Sequence, residues 1–335
     1  MPKENQVKKI AIIGSGMSGI TAALLLKDYA EVTIFEKAQS VSGRMSTRRK
    51  EPYFFDHGAQ YFTARTQSFQ KFIYPLINSG VIERWNAHYV KFDGEKIIER
   101  KDWGDEKSEP RFVGVPSMNM IAKYLAKDLN ILLNTRIVTL RHDGKWLLLS
   151  DQNQVHGCFD WVISTVPSPQ TVELLPREFR YHDVIRNVQM QPCFSLMLGF
   201  SSPLFLGFDA AHFFNSDLSW LAVNSQKPGR PEAYTILIHS SGRYAEAHLD
   251  DDRSEIIKHL CAETSRIIGH DVSVSECKII HSWLYARNLK RETCPVFFDK
   301  QLKLAACGDW CVGGRVEGAF TASYKLVQKI KESVF

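Results

Sequence analysis

Apolar runs and turn residues alternate over the first 36 positions of the chain. Residues 7–13 (VKKIAII) have the pattern of a short buried strand of a parallel sheet. A glycine-rich turn occupies residues 14–19, and the Ala- and Leu-rich run after it (ITAALLLKDYA) favours a helix. Residues 31–35 (EVTIF) form a second predicted strand. This order predicts a strand–helix–strand unit at the start of the chain.

The rest of the chain shows two kinds of sequence pattern, an α/β pattern and an aromatic-rich α+β pattern. The further predicted elements are a helix at 117–129 capped by Ser117, strands at about 131–141, 145–150, 159–166, 194–200, 219–224 and 233–239, a helix near 252–268, and then a strand at 278–286, a strand at 302–310 and a helix at about 316–331. Between the first helices, residues 40–65 form a long Gly- and Arg-bearing stretch, and ordered loops of this length are usually functional.

These patterns predict an α/β protein with two domains. A Rossmann-like dinucleotide-binding domain is expected to combine residues 1–65, 112–168 and 300–335. An inserted α+β substrate domain, built on an antiparallel sheet, is expected at residues 66–111 and 169–299.

Composition narrows the possible partners. The chain has 335 residues with a formal net charge of +5, and it shows no dense basic stripe with interleaved aromatics, so nucleic acid is not an expected partner. A mild positive excess suits an anionic small molecule. The sequence contains no run of 18 apolar residues, so no membrane span is predicted. The oligomeric state is left open.

Seven cysteines are scattered singly except for Cys307 and Cys311, which points to reduced thiols and a cytoplasmic location. No Cys or His pairs stand at zinc spacing, so no metal site is expected. Lys8 and Lys9 before the apolar run 10–26 resemble a signal peptide, but glycines interrupt that run and a strand follows it. A buried strand and helix explain the run better.

The turn after the first strand carries a dinucleotide-binding fingerprint. Gly14, Gly16 and Gly19 form a GxGxxG between a predicted strand and helix, and Glu36 ends the next strand, 22 residues after Gly14. The helix start offers N–H groups to a diphosphate, and Glu36 can accept hydrogen bonds from ribose hydroxyls. The intervening Ser15, Met17 and Ser18 belong to the same predicted contact. The alternative is a plain glycine-rich turn with a surface glutamate.

The fingerprint alone does not separate FAD from NAD, but two further motifs favour FAD. The stretch from Lys37 to Gly43, Arg44 and Met45 resembles the second glycine-arginine motif of the FAD-dependent amine oxidase superfamily. Its arginine is expected along the FAD phosphates and ribityl chain. This chain has Ser42 where the family commonly has glycine, which predicts a less tight turn. Arg44 as an exposed surface charge is the alternative.

The second motif lies near the C-terminus. A strand ending in Gly308 and Asp309 resembles the FAD-binding element whose aspartate bonds a ribityl hydroxyl. A Gly-Gly pair then precedes Arg315, and a predicted helix begins near Val316. A positive helix terminus with Arg315 would stabilise an anionic reduced flavin. Glu317 and Ala319 belong to the same element, and we expect non-covalently bound FAD.

Three segments together resemble renalase and its bacterial relatives within that superfamily. They are GRMST at 43–47, DHGAQYFT at 56–63 and GGRVEGA at 313–319, and WLYAR at 283–287 is similar as well. The resemblance covers nearly the whole chain and implies the FAD-binding fold of amine oxidases and p-hydroxybenzoate hydroxylase.

The resemblance also implies individual FAD contacts. Ile137 would pack on adenine, although a core position is an equally good reading, and Thr165 with Pro167 would line the ADP portion. Beneath the isoalloxazine it places four residues: Gly58, Ala59, Gln60 and Tyr61. The substrate pocket would involve Gln60, Arg315, His239, Trp283 and Arg287, with Trp220 and Tyr285 as further candidates. For each aromatic, sheet packing is the alternative.

The reaction implied by the resemblance is oxidation of 2- or 6-dihydro-NAD(P). A hydride would pass to flavin N5, giving NAD(P)⁺, and oxygen would take the electrons as hydrogen peroxide. Arg315 stands where monoamine oxidases commonly carry a tyrosine, and a cation there disfavours an ammonium-bearing substrate. An amine oxidase or desaturase and a non-catalytic NAD-binding module remain the alternatives.

Overall fold

The structure, a computed structural model, describes residues 7–289 and 296–335, and the chain divides into two units. The first unit comprises Met1–Gly43, Ala122–Met190 and Asn288–Phe335, and the second comprises Arg44–Ile121 and Gln191–Arg287. These boundaries differ from the predicted ones, because residues 44–65 and 112–121 join the second unit and 169–190 and 288–299 join the first.

The strands are numbered in chain order. They are β1 (Lys9–Ile13), β2 (Glu31–Phe35), β3 (Thr47–Lys50), β4 (Tyr53–Asp56), β5 (Ile82–Arg84), β6 (His88–Asp93), β7 (Lys96–Asp102), β8 (Phe112–Gly114), β9 (Ile131–Leu132), β10 (Ile137–Asp143), β11 (Lys145–Ser150), β12 (Val155–Phe159), β13 (Trp161–Ser164), β14 (Met190–Phe200), β15 (Ala210–Phe214), β16 (Leu218–Val223), β17 (Tyr234–Ser240), β18 (Cys277–Asn288), β19 (Phe297–Asp299) and β20 (Leu304–Ala306).

The helices are numbered in the same way. They are α1 (Met17–Leu26), α2 (Gln67–Asn78), α3 (Met120–Leu125), α4 (Ser168–Leu174), α5 (His182–Arg186), α6 (Gly242–Ala247), α7 (Arg253–Ile268) and α8 (Val316–Val334), with short 3₁₀ helices at Asn224–Gln226 and Asp309–Cys311. None of the helices within residues 7–289 and 296–335 is long and apolar enough to cross a membrane.

The first unit is built on a six-stranded sheet in the order β19-β20-β13-β1-β2-β9. Every pair is parallel except β19 with β20. The helix α1 is buried on nearly all sides, which explains why its sequence is apolar all round rather than amphipathic. It packs along α8: the Ser18 hydroxyl donates to the Ala319 carbonyl, and the Ser323 hydroxyl donates to the Ser18 carbonyl. The predicted Rossmann-like strand–helix–strand unit is confirmed.

The second unit is built on a seven-stranded sheet in the order β18-β14-β17-β16-β15-β6-β7. The predicted antiparallel pairing is confirmed for β14 with β17, β17 with β16, β16 with β15 and β6 with β7, whereas β15 and β6 are parallel. Helix α7 runs from its N-cap Asp252 to Gly269, whose left-handed backbone ends it. Its buried face and β14, β16 and β17 share one apolar core.

Several predicted elements have different limits in the structure. The stretch 40–65 is not one long loop, because β3 and β4 pair as a hairpin within it. The predicted helix at 117–129 is shortened to α3, and the predicted strand at 131–141 is divided into β9 and β10. The predicted strand at 302–310 ends at β20, and a 3₁₀ turn follows. The β3 strand reads TRRK and is largely exposed, so it has no apolar alternation that could have predicted it.

Candidate functional site

The turn between β1 and α1 is held by glycine-specific geometry. Gly14 has φ +101°, and a Cβ there would lie 3.1 Å from the Thr165 hydroxyl. The Gly14 N–H donates to the Phe35 carbonyl at 2.8 Å. Thr165 donates its hydroxyl to the carbonyls of Ile13 and Gly14 at 2.8 and 3.0 Å. This turn is therefore tied to both neighbouring strands of the parallel sheet.

The other two glycines of the fingerprint have different roles. A Cβ at Gly19 would lie 1.9 Å from the Gly14 carbonyl oxygen, so only glycine permits this contact between helix and turn. At Gly16 an added Cβ would meet no atom within 4 Å. Gly16 is the N-cap of α1, and no side chain caps that helix end. Open space beside unpaired helix N–H groups suits a diphosphate.

The carboxylate of Glu36 is buried at the end of β2 and organises the same turn. It accepts hydrogen bonds from the Ser15 N–H at 2.8 Å, the Ser15 hydroxyl at 2.7 Å and the Ala38 N–H at 2.8 Å. An ionised carboxylate has about four lone-pair positions, so it can still accept from a ribose hydroxyl. Lys37 beside it is exposed.

The second glycine motif closes onto the first. Ser42 is buried with φ +121°, a backbone region that favours glycine, and its N–H donates to the Ser15 carbonyl at 3.1 Å. A Cβ at Gly43 would lie 3.2 Å from the Gly16 α-carbon. Ser42 thus adopts a glycine-like conformation in this turn.

The C-terminal motif, residues 308–315, contains consecutive residues with positive φ angles and close backbone contacts. A Cβ at Gly308 would lie 2.3 Å from the Trp310 indole nitrogen. Asp309 is buried, and its carbonyl accepts from the Gly314 N–H at 2.8 Å. Gly313 and Gly314 have φ +98° and +62°, and Arg315 follows with φ +148° and ψ 161°. That region is nearly restricted to glycine, so Arg315 carries backbone strain.

The start of α8 follows directly from this strained residue. Arg315 is the N-cap of the helix, and its side chain is exposed and makes no cap hydrogen bond. Val316 and Glu317 are buried. The helix terminus therefore presents a positive dipole end next to a guanidinium, as the sequence predicted.

The remaining predicted contacts of the first unit lie at the ends of its strands. Thr165 and Pro167 follow β13 and are partly buried. Ile137, at the start of β10, is 7% exposed within the apolar core. Its contact with adenine stays a prediction. The open cradle at Gly16 and the Glu36 carboxylate fit the diphosphate and ribose of FAD.

In the second unit, Arg44 joins two predicted segments. Its guanidinium donates to the Ala286 carbonyl at 3.1 Å and the Tyr285 carbonyl at 3.4 Å, on β18. Its own carbonyl accepts from the Ala59 N–H at 2.8 Å, and a Cβ at Gly58 would lie 1.9 Å from that carbonyl oxygen. Arg44 is thus a structural link between β18 and the Gly58 turn, and its predicted FAD contact stays a prediction. Met45 is buried next to it.

A buried ionic cluster lies behind that turn, and sequence reasoning missed it. The Asp56 carboxylate accepts from the Thr47 hydroxyl at 2.7 Å, the Met118 N–H at 2.9 Å and the Arg230 guanidinium. The Lys227 ammonium lies 3.6 Å from it. Burial acts to raise the pKa of Asp56, but the two cations outweigh it and hold that pKa below its ordinary value.

Gln60 is fixed in orientation by the same cluster. Its amide nitrogen donates to the carbonyls of Asp56, at 2.5 Å, and Gly58, at 3.0 Å, and its amide oxygen accepts from the Lys227 ammonium at 3.1 Å. Both amide hydrogens are used inside the turn, which leaves one lone pair of the oxygen for a further contact. The predicted contact of Gln60 with the flavin edge stays a prediction.

The His57 carbonyl fixes the turn from the other side. It accepts from the Trp283 indole N–H at 2.9 Å and from His239 Nε2 at 3.3 Å, and the His57 ring stacks on Trp283 with centroids 5.2 Å apart. Burial, reinforced by His281, lowers the pKa of His57 to about 3, and burial lowers the pKa of His239 to about 4. Both imidazoles are therefore neutral near pH 7.

The other predicted site residues of the second unit make no hydrogen bond to the His57–Gln60 turn among those described for this part of the chain. Tyr61 and Trp220 belong to an aromatic cluster with Trp103, with centroids 5.1 to 6.3 Å apart, which is the packing alternative. Arg287 is exposed and donates to the Gln191 amide oxygen at 3.3 Å. The predicted contacts of Trp220 and Arg287 with substrate, and of Tyr61 with the isoalloxazine, stay predictions.

Comparison with known proteins assigns the family. A profile of the NAD(P)-binding Rossmann-like domain matches residues 12–73, and one of the flavin containing amine oxidoreductases matches residues 90–296. Mouse (Mus musculus) renalase is 21% identical over 84% of this chain and 85% of its own. A diapophytoene desaturase of Staphylococcus aureus strain Newman is 47% identical over 51 residues, 15% of this chain and 10% of its own.

Solved structures agree on the fold. A triple mutant of putrescine oxidase superposes with a TM-score of 0.73 at 12% identity, covering 97% of this chain and 99% of its own. At that identity the likeness concerns the fold alone. The amine oxidoreductase profile spans more than half of the chain, and the predicted FAD-binding fold and cofactor are confirmed. The chain belongs to the flavin containing amine oxidoreductase family and is an FAD-dependent oxidoreductase.

Proposed function

We propose that this protein oxidises 2- or 6-dihydro-NAD(P) isomers to NAD(P)⁺ with oxygen as the electron acceptor. FAD, when bound, supplies the two-electron redox chemistry. One dihydro-NAD(P), one O₂ and one proton give one NAD(P)⁺ and one H₂O₂, which balances atoms and electrons. The protein residues have to bind the substrate, orient it and provide a suitable electrostatic environment.

The observation that carries the proposal is Arg315. The chain keeps an arginine in a strained backbone conformation at the N-terminus of α8, where an amine-binding enzyme commonly has a tyrosine. Strained backbone conformations of this kind cluster at active sites and ligand-binding sites. A guanidinium beside a helix N-terminus repels an ammonium group and attracts a phosphate-bearing dinucleotide.

The neutral histidines are consistent with this reaction. Dihydropyridine oxidation produces a pyridinium cation without loss of a further proton, so no general base is required. His57 and His239 have pKa values lowered to about 3 and about 4, and they add no positive charge that would repel this product. Their hydrogen-bonding positions make them supports of the Gly58 turn.

Roles for the other predicted pocket residues follow from their contacts. Trp283 and His239 both donate to the His57 carbonyl, so we assign them to positioning of the turn as well as to the pocket wall. Arg287 is exposed, and it is the proposed contact of a substrate phosphate. The relationship to mouse renalase, at 21% identity over most of both chains, supports a shared substrate class.

An anaerobic titration tests the proposal. Borohydride-reduced NAD, which contains the dihydro isomers, should bleach the flavin absorbance of the purified protein, and putrescine or benzylamine should not. Admission of oxygen should restore the colour with release of one H₂O₂ per NAD⁺. Bleaching by the amines instead would support an amine oxidase, and a protein that takes up no flavin would leave only a nucleotide-binding module.

A further inference from the structure

The buried cluster of the second unit contains more positive than negative charge. The side chains of Lys227, Arg230 and Asp56 are 0%, 2% and 1% exposed. Among the residues that the structure describes, Asp56 supplies the carboxylate that pairs with both Lys227 and Arg230. Two cations share one carboxylate, so the cluster carries a net charge of +1 when Lys227 is protonated.

Burial of this excess positive charge destabilises the fold, so its presence points to a function. Burying an ammonium group with less than one full counter-charge is energetically unfavourable, because the lost hydration is not fully replaced. An apolar residue could fill the same space, and Arg230 alone would neutralise Asp56. The Lys227 ammonium instead lies 5.3 Å from the Trp85 ring centre, a cation–π distance, and donates to the Gln60 amide oxygen at 3.1 Å.

The hydrogen bond to Gln60 points to what the charge acts on. The amide nitrogen of Gln60 in turn donates a hydrogen bond to the Gly58 carbonyl oxygen at 3.0 Å. We propose that Lys227 is a positioning residue that acts through Gln60 and raises the electron affinity of the bound flavin by placing a titratable positive charge behind residues 56–60. The inference rests on the proposed contact of residues 58–61 with the isoalloxazine.

The groups that face Lys227 decide how its charge responds to pH. Asp56 favours the protonated ammonium, whereas Arg230 opposes it. His239 lies close enough for its own pKa to be lowered by Lys227, and it is neutral near pH 7. Burial is the largest influence and lowers the pKa of Lys227 to about 7. The charge is therefore present in mildly acidic solution and lost in mildly alkaline solution.

The test is the midpoint reduction potential of the bound flavin as a function of pH. We would compare the wild type with Lys227→Met, which removes the charge, and Lys227→Arg, which makes it permanent. Lys91→Met is the matched control, since Lys91 pairs with Glu99 at a partly exposed position on β6 of the same unit. A reference-dye equilibration with dithionite as reductant gives the potential without any substrate.

At pH 6 the potential of Lys227→Met should lie below that of the wild type, and the two should converge above about pH 8 as the wild-type lysine loses its proton. Lys227→Arg should stay above both at pH 8, and Lys91→Met should follow the wild type. Superimposable curves for all four proteins would overturn the inference.

Two safeguards separate the possible failures. If Lys227→Met does not fold with flavin, the comparison of Lys227→Arg with the wild type still decides, because their curves must diverge above pH 7. Failure of reduced NAD isomers to bleach the flavin would reject the proposed substrate while leaving the potentials measurable. A shift in potential without dihydro-NAD turnover would therefore retain the role of Lys227 and reject the proposed function.

Discussion

The α-carbon of Gly58 lies against the carbonyl oxygen of Arg44, and a Cβ added to Gly58 would be 1.9 Å from that oxygen. The Ala59 N–H donates to the same oxygen at 2.8 Å, so the two segments are held by a backbone hydrogen bond that leaves no room for a side chain. The contact joins the stretch after Gly43 to the turn that follows β4. It fixes the position of the residues predicted to lie beneath the flavin.

The Gly58→Ala variant should be destabilised, because relief of a clash with backbone requires the turn to move. We expect a loss of about 3 kcal/mol in the free energy of unfolding, at the upper end of overpacking costs. Urea denaturation measures it. Gly207→Ala is the control, since Gly207 has φ +70° but no atom near its Cβ position, and it should lose only about 1 kcal/mol. Equal losses for both variants would show that the close contact is not what requires glycine.

The fingerprint glycines should separate cofactor binding from folding. Gly16 has φ −72° and no atom within 4 Å of its Cβ position, so Gly16→Ala should fold with unchanged stability in the absence of FAD. Its methyl group would occupy the space proposed for the diphosphate, and the dissociation constant for FAD should rise about tenfold or more. Gly19→Ala should lose stability even without FAD because of its 1.9 Å contact with the Gly14 carbonyl oxygen. Flavin fluorescence titration and urea unfolding of the flavin-free proteins distinguish the two, and unaltered FAD affinity in Gly16→Ala would argue against the cradle.

How far the sequence predicts this site depends on the range of the interactions. The strand β1, the glycine turn, the helix α1 and Glu36 all lie within 28 consecutive residues, Lys9 to Glu36, and local pattern predicts them correctly. Asp56 and Arg230 are 174 positions apart, and only the fold brings them together. Lysine and arginine are mostly exposed in proteins, so nothing in the local sequence marks Lys227 as buried. The strand β3 could not be predicted either, because its sequence TRRK is charged and mostly exposed and lies in a stretch predicted as a loop.

The titration of Lys227 should appear in the stability of the flavin-free protein. Its pKa is lowered from 10.5 to about 7 in the folded state, so between these values the unfolded chain holds a proton that the folded chain lacks. The free energy of unfolding, compared with that of Lys227→Met, should therefore rise with pH from about 7 upward, on the order of 1 kcal/mol per pH unit. Below pH 7 the difference should be flat. Urea unfolding at pH 6, 7, 8 and 9 would reveal it, and a constant difference across that range would be inconsistent with a buried ammonium.

The titration of His239 should lower the stability of the protein in acid solution. Its folded-state pKa is lowered from 6.5 to about 4, so the unfolded chain binds the extra proton between these values and stability should fall as the pH drops from 6.5 toward 4. His239→Gln keeps an N–H donor for the His57 carbonyl and cannot take up a proton, so its stability should fall less steeply in that window. Thermal unfolding at pH 6.5, 5.5 and 4.5 measures the two slopes. His142→Gln, at an exposed position on β10, is the control and should keep the wild-type slope.

Arg315 combines strain with charge, and substitutions can separate the two. Arg315→Gly relieves a backbone conformation that costs about 1–3 kcal/mol in other residues, so the protein should be as stable as the wild type or more stable. It removes the guanidinium, however, and kcat/KM for dihydro-NAD isomers should fall about tenfold or more. Arg315→Lys retains a cation and should keep more activity than Arg315→Gly, whereas Arg315→Tyr should bind FAD and lose turnover. Loss of stability in Arg315→Gly would refute the strain, and wild-type turnover in both Arg315→Gly and Arg315→Tyr would mean that the cation at the start of α8 does not select the substrate.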